Sequence, residues 1–127
     1  MELTIETQPD AGLSKNGLKR AHWRTSEVLT REAREQGYIL GRMEVEDGWE
    51  TLERAEINVV HYYSNRPMDY DGLACSVAPY IDGLVDAEIL ADDDPSHVIR
   101  YDMRHVKVAH RWEAKVAITI KPYADKG

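Results

Sequence analysis

The sequence predicts a small α/β (α+β) protein, a mixed β-sheet with helices packed on it, in the order β-α-β-α-β-β. Three observations carry that expectation. Glu2–Thr7 and Glu53–Tyr63 alternate apolar and polar residues with the two-residue period of a half-buried strand. Two other stretches place apolar residues at helical spacing. The 127 residues are 43% hydrophobic and 31% charged, which fits one globular domain over 1–127 with a real core.

In the first strand Leu3 and Ile5 face one way and Glu2, Thr4 and Glu6 the other. Gln8–Gly17 collects Pro9, Asp10, Gly12, Ser14, Asn16 and Gly17, the residues of a loop. Leu18 to about Gln36 is rich in Arg, Glu, Leu and Ala and reads as a helix. Leu18, Ala21, His22, Leu29 and Ala33 form a partial stripe on it, and Gly37 and Gly41 are read as its end or an interruption. Glu44–Trp49 is acidic and loop-like. The second strand lines up Ala55, Ile57, Val59, His61 and Tyr63, and Ser64-Asn65-Arg66-Pro67 breaks it. Leu73, Val77, Tyr80, Ile81, Leu84 and Val85 make a second helical stripe. Pro79 either kinks that helix or lies in its first turn with Ser76 near the cap. Ala91–Pro95 is a loop, and His97–Val108 with Trp112–Ile120 reads as a hairpin, the second strand carrying Ala114, Val116, Ile118 and Ile120 on one face.

No apolar run approaches the roughly 18 residues of a membrane helix. The acidic, alternating N-terminus is unlike a signal peptide. A single cysteine, Cys75, excludes an internal disulfide and a cysteine-rich zinc site. Together these point to the cytoplasm and to no membrane partner. The net charge of −7 argues against a nucleic-acid partner, but it is unevenly placed. Lys15–Arg34 holds six cations (Lys15, Lys19, Arg20, Arg24, Arg31, Arg34) against two anions, Glu27 and Glu32. Asp82–Asp94 holds six anions (Asp82, Asp86, Glu88, Asp92, Asp93, Asp94) and no Lys or Arg. A basic DNA footprint beside an acidic metal site fits that distribution; two solvated faces fit it too.

Asp69-Tyr70-Asp71, then a helix, then Asp92-Asp93-Asp94 is the pattern with most chemical content. Aspartates two apart on an extended segment point to one side. The helix can return the chain so that a third carboxylate joins them. Hard cations such as Mg²⁺ take oxygen ligands, few from protein and the rest from water and phosphate. By spacing alone, an Asp-rich surface loop or turn explains the same residues. His105 and His110 are five apart, so an unbroken strand points them to opposite faces. Cys75 reads as a small buried residue, and Tyr62, Tyr63 and Tyr80 as packing residues. The glycines form no P-loop or dinucleotide pattern.

The run Asp69-Tyr70-Asp71-Gly72-Leu73, followed by Tyr80-Ile81-Asp82-Gly83-Leu84-Val85-Asp86-Ala87 and Leu90-Ala91-Asp92-Asp93-Asp94, resembles the central signature of RusA-type Holliday junction resolvases. Leu13-Ser14-Lys15-Asn16 and His22-Trp23-Arg24 resemble phage-encoded members, and the likeness runs from the first strand to the last. It implies a homodimer that binds four-way DNA junctions and nicks two strands using Mg²⁺, or Mn²⁺ in its place, in the cytoplasm of a bacterium or a phage-infected host. By position, Asp69 and Asp71 match the paired metal-binding aspartates and Asp93 the third catalytic carboxylate; Asp82 and Asp92 match other recurrent acidic positions. Lys15, Lys19, Arg20, Arg24 and Arg66 become the expected DNA contacts. Two positions depart from the pattern. The family's Asn after the second aspartate is Gly72, and its helix lysine is missing, with no Lys between Asp71 and Lys107. Three expectations stand: a structure-selective endonuclease, a weak or inactive homologue that binds branched DNA or a partner protein, and, favoured by the net charge, a protein that keeps the fold without a DNA role.

Overall fold

The computed structural model describes residues 1–8 and 23–124. Its elements are β1 (Leu3–Thr7), α1 (Trp23–Glu44), β2 (Ala55–Tyr63), α2 (Tyr70–Asp86), β3 (Val98–Lys107), a 3₁₀ turn (Arg111–Glu113) and β4 (Lys115–Pro122). The β-α-β-α-β-β order and the mixed sheet are as the sequence predicts. The strands lie in the order β1-β4-β2-β3, with β2 and β3 parallel and β4 antiparallel to both β1 and β2.

The expected hairpin between the last two strands does not form. β4 passes beyond β2 and inserts between β2 and β1. The segment 108–114, with its 3₁₀ turn, is long enough to span two strand spacings of about 4.8 Å each. The physical reason is burial. β2 buries Ala55, Ile57, Val59 and His61 on one face and needs a partner on both edges, whereas β3 carries Arg100, Asp102 and Arg104, charges suited to an outer edge. Val116, Ile118 and Ile120 of β4 are buried beside Ile57 and Val59 of β2 and Leu3 and Ile5 of β1. The helices cover this face with Ala33, Leu73, Val77, Tyr80, Ile81 and Leu84.

α1 continues through Gly37 and Gly41 to Glu44, so neither glycine ends it. Both are packing positions. With Ala33 they form an i, i+4 row of small residues turned to α2. A Cβ on Gly37 would overlap the backbone of Tyr80, and a Cβ on Gly83 would overlap the backbone of Arg34 and Tyr38. The two helices thus touch backbone to backbone, at a helix-propensity cost of about 1 kcal/mol per glycine. Of the stripe expected on α1, Leu18, Ala21 and His22 lie outside the described residues. Pro79 lies inside α2, not at its start.

α2 ends in a left-handed turn. Glu88 has φ of 60°, and the amide of Ile89 donates to Leu84 O at 3.1 Å, a Schellman-type closure. Trp49 Nε1 donates to Ile89 O and Thr51 Oγ1 to Glu88 O, at 3.1 and 2.7 Å, pinning this corner to the 45–54 loop.

Candidate functional site

The β2-α2-β3 unit decides where the aspartates go. β2 ends at Tyr63, α2 runs back along the sheet, and β3 restarts beside the beginning of β2, with Ala55 paired to Val98. The residues before α2 and those before β3 therefore lie at opposite ends of the helix. Asp71 and Asp82 are eleven positions apart on α2, about 16 Å along its axis.

At the N-terminal end Asp69 is the helix cap, and its Oδ1 accepts from the Gly72 amide at 2.6 Å. Asp71 is already in the first turn. The pair is therefore not extended, as the sequence reading had it; two positions apart on a helix, their side chains diverge. Both residues are exposed. Gly72 is tied to this cap, because a Cβ there would sit 2.9 Å from Asp69 Oδ1. Arg66 is exposed in the loop just before it.

The three consecutive aspartates at the other end do three different things. Asp92 accepts from the Asp93 amide at 2.8 Å. Asp94 closes the turn into β3: its Oδ1 accepts from the Ser96 amide at 2.9 Å and hydrogen-bonds His97 Nδ1 at 2.8 Å. Hydrogen bonds from Ser96 and then His97 hold the Asp94 carboxyl down at about 2, and the His97 imidazole is raised in turn by Asp94. Asp93 alone turns to α2, where it meets Asp82. Burial first, then the charge and hydrogen bond of Asp93, push the Asp82 carboxyl above its usual range. The Tyr101 hydroxyl is pushed up to about 12 by burial and by Asp93, although 42% of the residue stays exposed.

Asp82 also opens on a cleft of about 450 Å³ between the helices, lined by Ser26, Glu27, Thr30, Arg31 and Arg34. Arg34 makes a two-pronged contact with Asp86, Nε to Oδ2 at 2.5 Å and Nη2 to Oδ1 at 2.8 Å. That bond raises the guanidinium and lowers the Asp86 carboxyl. Arg34, counted in the basic segment, is thus partly committed within the fold.

The structure brings Asp82 and Asp93 together and keeps Asp69 and Asp71 apart from them. Among the described residues no three His, Cys, Asp or Glu side chains converge as a metal-binding group. Lys15, Lys19 and Arg20 lie outside the described residues; Arg24 falls in the first turn of α1, and its side chain lies outside them too. At the N-terminal end of α2 the sequence reading missed a cluster. His61 is buried at 3% exposure, its ring centre is 5.2 Å from that of His105, and Tyr63 and Tyr70 pack around them. Burial, then the nearby His105, lowers the His61 imidazole and favours its neutral form. His61 was legible as a core-face position of β2; its partner was not, because strand pairing is not written in spacing. No helix among the described residues is long and apolar enough to cross a membrane. No protein-family model matches this chain, and no curated protein sequence matches it.

Proposed function

We propose that this chain is a RusA-like, Mg²⁺-dependent endonuclease for branched DNA, with its metal held by Asp93 and Asp82. One observation carries the reading: Asp82 and Asp93 are adjacent carboxylates at the mouth of a cleft that also presents Arg31 and Arg34. Mg²⁺ is commonly bound by one or two carboxylates, with water and substrate phosphate completing its shell. Asp82 and Asp93 would hold the metal, whose charge would offset the repulsion that raises the Asp82 carboxyl, and Arg31 is the adjacent contact for the phosphate. When bound, Mg²⁺ would supply water activation and offset the charge that develops on the phosphate. The chain's own residues orient the metal and the scissile group. Paired nicking of a two-fold symmetric junction requires two equivalent sites, hence a homodimer. Lys15, Lys19, Arg20, Arg24 and Arg66 are the proposed contacts to the DNA arms, and the cytoplasm of a bacterial or phage-infected cell is the proposed location. Asp71, about 16 Å along α2, and Asp69, further still, fall outside this metal's reach within one protomer.

A second reading is a homologue that binds junctions without cutting. The distance between Asp71 and Asp82, and the lack of any lysine from Asp71 to Lys107, favour it. The test is nicking of a labelled four-way junction with and without Mg²⁺, using the parent, Asp93→Asn, Asp82→Asn and Asp71→Asn. The expected result is loss of nicking in Asp93→Asn and Asp82→Asn with junction binding in Ca²⁺ retained. A parent that binds the junction and never nicks it establishes the second reading. A parent that neither binds nor nicks removes both.

A further inference from the structure

We propose that His61 and His105 form a two-imidazole site for a borderline divalent metal of the Zn²⁺, Co²⁺ or Ni²⁺ class, separate from the carboxylate pair at the other end of α2. The parallel register of β2 and β3 pairs His61 directly with His105, so the two rings stand side by side on one face of the sheet. Their centroids are 5.2 Å apart. Two imidazoles sharing one tetrahedral metal at Zn–N distances of about 2.1 Å have centroids roughly 5 Å apart. The observed spacing matches that of two rings on one metal.

Nδ1 of His61 and Nε2 of His105 are both buried and have no hydrogen-bond partner. Buried polar atoms in folded proteins are almost always paired, so two orphaned nitrogens on neighbouring rings call for something to bind them. Tyr63 and Tyr70 pack beside the pair, with ring centres 6.2 and 5.0 Å from His105. Tyr70 is the first residue of α2, which places the site beside the Asp69 cap. Nitrogen donors select Zn²⁺, Co²⁺ and Ni²⁺ over Mg²⁺, which prefers oxygen. Among the described residues no third His, Cys, Asp or Glu completes the group, so water or a bound ligand fills the remaining positions. This site does not depend on the endonuclease reading.

The test is a Co²⁺ titration of the full chain followed by visible absorption, with Zn²⁺ as competitor. Saturable one-to-one binding is expected, displaced by Zn²⁺ and weakened more than about a hundredfold in His105→Ala, a loss that exceeds the outer-shell range. His97→Ala and His110→Ala should bind as the parent does. Because His61→Ala empties a core position, the His61 ligand is read instead from the imidazole ¹⁵N resonances of the parent: Zn²⁺ should shift Nδ1 of His61 and Nε2 of His105. Unaltered binding in a folded His105→Ala variant overturns the proposal. So does the absence of saturable binding, or a Zn²⁺ shift confined to other histidines; in those cases the two nitrogens are bridged by water alone.

Discussion

At its N-terminal end α2 uses an aspartate to cap itself; at its C-terminal end it carries two more where the helix dipole opposes them. Asp69 and Asp71 meet the positive end of the dipole, and Asp69 also accepts from the Gly72 amide. No basic residue occupies the last turn of α2. Asp86 is answered from outside by Arg34 of α1. Asp82 instead faces Asp93, and burial together with that neighbour raises its carboxyl against the smaller pull of Arg34. The same residue type is therefore an unremarkable cap at one end and a chemically poised acid at the other. The lesson is that an acidic motif acquires chemistry from what faces it, not from its spacing.

The largest expected effect comes from parting the helices that create the C-terminal end. Gly83→Ala drives a methyl group into the backbone of Arg34 and Tyr38. It should cost about 1–3 kcal/mol, as overpacking does. Urea denaturation measures it, and the Arg34–Asp86 contact should loosen in the same variant. A midpoint equal to the parent's would mean that the helices part freely and that the cleft is not rigid.

A smaller effect separates the two ends electrostatically. Asp82 binds its proton more tightly folded than unfolded, so over that window the folded chain holds the greater number of protons. Stability contributed by this group is then full at pH below the ordinary aspartate value and is lost as pH rises through the raised one. Asp82→Asn removes that loss. The variant should melt higher than the parent at neutral pH, with the gap closing in acid. Mg²⁺ should raise the melting temperature of the parent more than that of the variant. Asp71→Asn should show neither behaviour; if it shows both, the active end has been misassigned.

The smallest effect tests the turn that carries the chain from α2 towards Asp93. Glu88 holds a left-handed φ of 60°. Glu88→Gly should relieve strain and stabilise the protein by roughly 0.5 kcal/mol, the left-handed penalty being partly offset by glycine's greater freedom when unfolded. Thermal melting checks the sign, and Mg²⁺ dependence should not change.

Much of this was legible beforehand. The alternation of Ala55, Ile57 and Val59 and the stripe Leu73, Val77, Tyr80, Ile81 and Leu84 identify β2 and the buried face of α2, because each element must turn its apolar side inward. Gly37 and Gly41 misled, since a glycine that ends a helix and one that admits a neighbouring backbone look alike in sequence. The last two strands misled for a related reason: adjacency in the chain suggests a hairpin, while β4 was claimed by the unpaired apolar edge of β2.

By itself, then, the sequence determined the number and order of the elements and which face of each is apolar, since these depend on local periodicity and on the hydrophobic effect acting residue by residue. Only the tertiary structure decided which carboxylates meet. The parallel crossover from β2 to β3 carries the chain the length of α2 before Asp93, so Asp93 reaches Asp82 and not Asp69 or Asp71. It decided equally that His61 stands beside His105, forty-four positions away in the chain. Strand pairing and helix length fix such distances, and neither is a property of the residues that end up in contact.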